Sequence, residues 1–145
     1  MRRVVVTGMG LLTTLGNDLY TTWNNLLNLK SGIKKIDHFD VSLLPAKIAG
    51  FISNDINDDN YFNKSNILDQ KDIKRNDRFI QYGLIAANMA IKDSGLENIT
   101  NLNKSRIGVS VGSGIGGLET IYEGSLTINN KEPRKLSPFF IPSSL

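Results

Sequence analysis

Residues 112–117 read Gly-Ser-Gly-Ile-Gly-Gly, and Gly112, Gly114 and Gly117 satisfy the G-x-G-x-x-G spacing. Such a turn, set between a strand and a helix, can cradle a pyrophosphate on free backbone N–H groups. Glu132 stands 20 residues after Gly112, where a ribose-binding acid would be wanted. That acid belongs at the end of a second strand, and Lys131-Glu132-Pro133-Arg134-Lys135 has no strand character. The local reading is therefore a tight strand-to-helix bend, with a dinucleotide-binding oxidoreductase fragment as the alternative.

The second constellation is basic. Lys71, Lys74, Arg75 and Arg78 are spaced i, i+3, i+4, i+7 and would share one helical face. Asp69, Asp72 and Asp77 dilute the patch, and Asn76-Asp77 can restart the helix and break the stripe. Arg134-Lys135 forms a smaller cluster. No aromatic residues interleave as a single-strand nucleic-acid surface requires, so no nucleic-acid partner is expected. A solvated charged face explains the run equally well from the residues alone.

Other chemistry is excluded by what is missing. The 145 residues include no cysteine and one histidine, His38. Thiolate nucleophiles, thiolate metal sites and multi-histidine metal sites are ruled out within this segment, and no cofactor is expected. The net charge of +3 permits an acidic partner without demanding one. No apolar run approaches the ~20 residues of a membrane span. Met1-Arg2-Arg3 and the apolar residues after it superficially resemble a signal peptide. Gly8, Gly10 and Thr13-Thr14 interrupt that pattern, so a cytoplasmic protein with no membrane association is expected. Asn98-Ile99-Thr100 matches a glycosylation sequon by chance.

These groups must be positioned by a frame. Val4-Val5-Val6 and the apolar residues to Thr13 read as a strand buried on both faces, with glycines allowing another backbone close. Asn17 or Asp18 can cap a helix carrying Leu19, Trp23, Leu26 and Leu27 on one face, ended by Gly32 in the left-handed C′ position. Residues 33–63 read as irregular, apart from a short strand within 46–52 and a surface loop or short helix over Ser53–Asn60. Residues 78–94 form the clearest helix, with Phe79, Gly83, Ala86 and Ala90 on one face and Ile80, Leu84, Ala87 and Ile91 on the next. Its small residues suit a central position, and Gly95 ends it. Ile107, Val109 and Val111 alternate as a strand over 106–112. A helix from about Leu118 to Ile128 follows, then a turn-rich tail marked by Pro133, Pro138 and Pro142. Ser143-Ser144 could open a further helix.

Blocks spread along the whole chain resemble type II β-ketoacyl-acyl-carrier-protein synthases. They are Val4-Val5-Val6-Thr7-Gly8-Met9-Gly10, Ser31-Gly32-Ile33, Ile36-Asp37-His38-Phe39-Asp40, Phe79-Ile80-Gln81-Tyr82-Gly83 and Asp93-Ser94-Gly95-Leu96. Arg106-Ile107-Gly108, Gly112–Leu118 and Pro133–Ser143 complete them, in family order. The isoleucine inside the glycine turn favours type II over type I. The resemblance implies an α/β chain: the N-terminal part of a thiolase-like fold, a mixed sheet with covering helices, incomplete over residues 1–145 and cut before the catalytic cysteine. It implies a homodimer that condenses acyl chains with malonyl carrier protein. No catalytic residue is placed in this chain; the family's cysteine, two histidines and lysine have no counterpart here, and His38 is expected at the surface or in packing.

By the same resemblance, Ile115 gates the acyl pocket, and Phe140 and Ile141 line the partner subunit's pocket. Lys71, Lys74, Arg75, Arg134 and Lys135 dock the acidic acyl carrier protein. Without the family, all three apolar residues read as ordinary core. The chain by itself is expected to be catalytically inactive and marginally folded, with open sheet edges and exposed apolar surface. A non-catalytic module that binds carrier protein is the other alternative.

Overall fold

A computed structural model describes residues 2–53, 56, 58 and 61–145. Its elements are α1 (Leu19–Leu27), β1 (Ile33–Lys35), β2 (Ile48–Gly50), α2 (Gln70–Arg75), α3 (Arg78–Ser94), α4 (Leu118–Asn129) and α5 (Phe140–Ser144). Single 3₁₀ turns occupy Lys64–Asn66, Leu96–Asn98, Lys104–Arg106 and Pro133–Lys135. The Ser53–Asn60 loop lies largely outside the described residues.

The long helix forms where its pattern predicts. Asp77, extended at φ −62° and ψ 161°, starts α3, and Gly95 ends it in the left-handed region at φ +69°. The central position also holds. A Cβ on Gly8 would lie 2.5 Å from the Ser94 nitrogen, and one on Gly10 would lie 2.6 Å from the Ala90 nitrogen. Only glycine lets the N-terminal segment cross the helix this closely. The Met9 N–H donates to Asp93 Oδ2 at 2.8 Å and fixes the crossing. The buried line on α3 is Gln81 and Ile85, between the two faces that the pattern marks, while Leu84 and Ile91 stay exposed. Gln81 is buried because its amide Nε2 donates to the carbonyls of Ile73 and Asn76, at 3.0 and 2.7 Å. These acceptors lie in and just after α2, so one side chain joins two helices.

The two expected buried strands are not laddered. Among the described residues no backbone–backbone hydrogen bond reaches 2–12 or 108–115. Val4 is 95% exposed and Val109 88%. A strand buried on both faces needs neighbouring strands to receive its N–H and C=O groups, and among the described residues none is hydrogen-bonded to these segments. The sheet present is open and two-stranded, with antiparallel β1 and β2 pairing Ile33 with Gly50 and Lys35 with Ile48. β2 falls where a short strand is expected, and β1 lies in a stretch that reads as irregular.

Helix ends differ from expectation in an informative way. Asp18 caps α1, accepting from the Thr21 N–H at 2.8 Å and its hydroxyl at 2.7 Å. Asn17 instead donates to the Tyr61 carbonyl. The C′ residue of α1 is Leu29, at φ +53°, and not Gly32. Leu29 N–H reaches the Leu26 carbonyl and Lys30 N–H reaches Asn25, the paired bonds of a Schellman motif. Lys131, at φ +60°, ends α4 in the same way, its N–H bonding the Ile128 carbonyl and the Glu132 N–H that of Thr127. Gly32 is small for another reason: a Cβ there would meet Thr14. The tail is more ordered than its prolines suggest. Pro142 is the third residue of α5, where its missing N–H costs nothing. Ser143 lies inside that helix, buried, and opens no new one.

The apolar core is small: among the described residues Ile36, Val41, Leu68 and Ile85 are the buried hydrophobic ones. The accessible surface is 11526 Å². A compact monomer of 16.0 kDa would expose about 7,400 Å². The α1 stripe of Trp23, Leu26 and Leu27 is among the exposed groups.

Two predictions follow from this geometry. Leu29→Gly and Lys131→Gly relieve left-handed strain at exposed positions, so each should raise the denaturation midpoint, by about 0.5–1 kcal/mol of stability. The isolated chain should bind anilinonaphthalene sulfonate and unfold over a broad transition; a sharp calorimetric peak without dye binding would contradict the small core.

Candidate functional site

The glycine turn leads into α4, and the structure shows what holds that helix start. Gly116 adopts φ +78°, and its N–H donates to the Ser113 hydroxyl at 3.1 Å. The Gly117 N–H donates to the Ser144 carbonyl of α5 at 3.1 Å, and Leu118 N–H bonds Gly116. Asp77 reaches across from the start of α3. Its Oδ2 accepts the Thr120 N–H at 3.0 Å and the Thr120 hydroxyl at 2.6 Å. The N–H groups of Gly116, Gly117, Leu118 and Thr120 are thus engaged within the protein, and Asp77 brings a carboxylate against the helix start, where an anion would be repelled. Glu132 pairs with Lys135 at a turn, not at a strand end. Both features argue against the dinucleotide alternative.

Arg78, next to Asp77, makes a second bond between the same helix starts. Its Nε donates to Glu119 Oε2 at 2.6 Å, and its Nη2 pairs with Oε1. Both partners are close to half exposed, so screening leaves this pair worth about 1 kcal/mol at most. Burial pushes the Asp77 carboxyl up, but the bonds from Thr120, Phe79 and Arg78 outweigh it and hold the group below the usual range. Glu119 is lowered by the guanidinium bonds, against some burial. Lys64 sits 5.5 Å from the Tyr82 ring centre, its ammonium lowered by burial and by Arg78; burial raises the Tyr82 phenol.

Two clefts meet at Asp77. A mostly polar one of about 260 Å³ is lined by Lys74, Arg75, Thr120, Glu123, Lys135 and Phe140, among others. A mostly apolar one of about 440 Å³ is lined by Leu12, Phe51, Phe79, Tyr82, Gly116 and Leu118, among others. The polar cleft gathers Lys74 and Arg75 with Lys135, residues about 60 positions apart in sequence. Arg75 also lies over the Phe139 ring, 4.6 Å from its centre. Lys71 and Arg134 are exposed nearby in sequence, outside the cleft lining. The stripe breaks after Arg75, where α2 ends, and Arg78 belongs to the ion pair.

The three apolar candidates do not share a cavity within this chain. Ile115 and Ile141 are exposed, at 75% and 60%. Phe140 is half-buried, its ring lying against Gly124, where a Cβ would meet the Phe140 Cδ2 at 3.0 Å. His38 is half exposed and makes edge contacts with Phe39 and Phe51, each 4.9 Å between ring centres. Sequence reading missed the Asp77–Thr120 link. The restart at Asn76-Asp77 was visible, but its partner lies 43 residues away with no spacing signal.

Asp77, Glu119 and Asp18 all have lowered pKa values, so their stabilisation is complete above ~pH 5 and is lost as pH falls below ~4. Asp77→Asn should therefore flatten part of the acid limb of a stability–pH profile. An unchanged acid limb would contradict the double bond from Thr120.

The family model for the β-ketoacyl synthase N-terminal domain matches residues 1–144. The 3-oxoacyl-[acyl-carrier-protein] synthase 2 of Vibrio harveyi is 45% identical over 144 residues, covering 99% of this chain and 33% of the relative. The chain thus spans about a third of the length of the curated relatives it matches. Among solved structures, the ishigamide ketosynthase/chain length factor superposes with a TM-score of 0.74 at 22% identity, over 99% of this chain and 34% of that one. A type II PKS acyl-carrier protein in complex with its ketosynthase gives 0.69 at 20% identity, over 100% and 35%. These likenesses show the fold: the open sheet and its helices follow the thiolase-like path expected from the sequence. The chain belongs to the β-ketoacyl synthase family, matching its N-terminal domain.

Proposed function

We propose that residues 1–145 are the first part of a 3-oxoacyl-acyl-carrier-protein synthase of the type II kind, supplying acyl-pocket wall and carrier-docking surface to a condensing enzyme. The observation that carries this reading is the family match over residues 1–144. In the reaction, an acyl group passes from a carrier-protein thioester to an enzyme cysteine. Malonyl carrier protein loses carbon dioxide, and its carbanion attacks that thioester, releasing the thiolate and leaving 3-oxoacyl carrier protein. This chain has no cysteine, so the nucleophile comes from residues outside it.

The basic cleft supports the docking role. Lys74, Arg75 and Lys135 converge on one concavity, with Lys71 and Arg134 as exposed outliers. Glu132 holds Lys135 at 2.6 Å. Such charges steer an acidic partner and set its orientation, and salt weakens them. Ile115 is proposed as the gate of the acyl pocket, with Phe140 and Ile141 facing a second subunit in a homodimer. The exposure of Ile115 and Ile141 in the single chain suits surfaces that another polypeptide covers.

Two outcomes test the reading. This chain alone, given acyl and malonyl carrier proteins, should release no carbon dioxide and form no 3-oxoacyl product. In the intact enzyme, Lys74→Glu with Arg75→Glu and Lys135→Glu should weaken carrier-protein binding about tenfold or more at low salt, the gap closing as salt rises. Unchanged binding after the triple reversal would remove the docking role.

A further inference from the structure

Asp77 lines both clefts, facing Lys74, Arg75 and Lys135 on one side and Tyr82, Gly116 and Leu118 on the other. The wall between them is thin and tightly fixed. A Cβ on Gly117 would lie 3.0 Å from Asp77 Oδ2 and 2.6 Å from the Ser143 carbonyl oxygen. The turn bearing Ile115 is therefore squeezed between the start of α3 and the end of α5. Three attachments set its place: Gly116 to Ser113, Gly117 to Ser144, and Thr120 to Asp77. The last has two donors on one carboxylate oxygen and is charge-assisted, the stronger kind.

We propose that Asp77 is a positioning residue for the apolar wall Ile115–Leu118, acting through Thr120 to set where that wall stands against an acyl chain. This inference rests on the acyl-pocket reading above. Asp77 itself touches no acyl group. Its carboxylate fixes α4 in rotation and height, and the glycine turn, with little side-chain packing of its own, takes its position from α4. Gly112 and Gly114 have open space where a Cβ would stand, so the front of the turn is not closely packed at these two positions. The charged groups around the carboxylate are Arg78, Glu119, Lys74, Arg75, Glu123 and Lys135.

The test uses the condensing enzyme that carries this chain, with wild type, Asp77→Asn, Thr120→Val, Thr120→Ser and Ile115→Phe compared. Two quantities are read: hydrogen exchange of the peptide spanning 112–121, and the chain-length distribution of products. Thr120→Val keeps the N–H donor and removes the hydroxyl; Thr120→Ser keeps both. The proposal expects exchange over 112–121 to rise about tenfold in Asp77→Asn and Thr120→Val, product lengths to broaden in both, and Thr120→Ser to restore wild-type behaviour. If Asp77→Asn does not fold, Thr120→Val decides. Wild-type exchange and product lengths in Thr120→Val, with lengths altered by Ile115→Phe, would overturn the positioning role. Unchanged products in Ile115→Phe would overturn the acyl-pocket reading instead, and exchange alone would then decide whether Asp77 holds the turn.

Discussion

The carboxylate of Asp77 carries the frame. It stands at the start of α3, takes two hydrogen bonds from Thr120 near the start of α4, and leaves no room for a side chain on Gly117. Helix starts hold unsatisfied N–H groups and partial positive charge, so one carboxylate near two of them settles both. Arg78 and Glu119 repeat the link one residue along. Gln81 then binds the end of α2 to α3. Much of the frame is thus joined by polar bonds between helix ends, with Ile85 the fully buried side chain among the described residues.

That arrangement explains why so much apolar surface remains. Polar junctions fix relative placement without covering Val4, Val6, Val109 or Val111. The glycines at 8 and 10 bring the N-terminal segment onto α3, which meets one side of it only. A surface roughly half as large again as a compact chain of this mass would show is a surface suited to cover by other polypeptide. The relatives, three times as long by the share matched, are where such cover is found in proposal.

How much of this was legible in the sequence depended on how local the cause was. Residues 78–94 form a helix with Gly95 as its stop because period and cap are both written in adjacent residues. The restart at Asp77 and the closeness at Gly8 and Gly10 were legible for the same reason. Strands 3–13 and 106–112 were read from an apolar run and from alternation, but a strand exists only with a neighbour, and a local pattern does not supply one. The end of α1 at Leu29, and not at Gly32, shows that hydrogen bonds to Leu26 and Asn25 can hold a non-glycine residue at positive φ. At the site, the basic residues were identified but not their meeting at one cleft. Asp77 was read as a helix start and a diluting charge, since its partner at 120 leaves no mark on spacing.

The helices are held by their own polar junctions while the valine-rich segments stand without a sheet ladder. Residue-resolved hydrogen exchange, on the isolated chain and again within the complete enzyme, measures this directly. The account predicts that amides around Ile85 are protected in both, and that those of 4–6 and 108–111 exchange freely in the chain alone and become protected only in the enzyme. Slow exchange at 4–6 and 108–111 in the isolated chain would show a sheet already formed there and would contradict it.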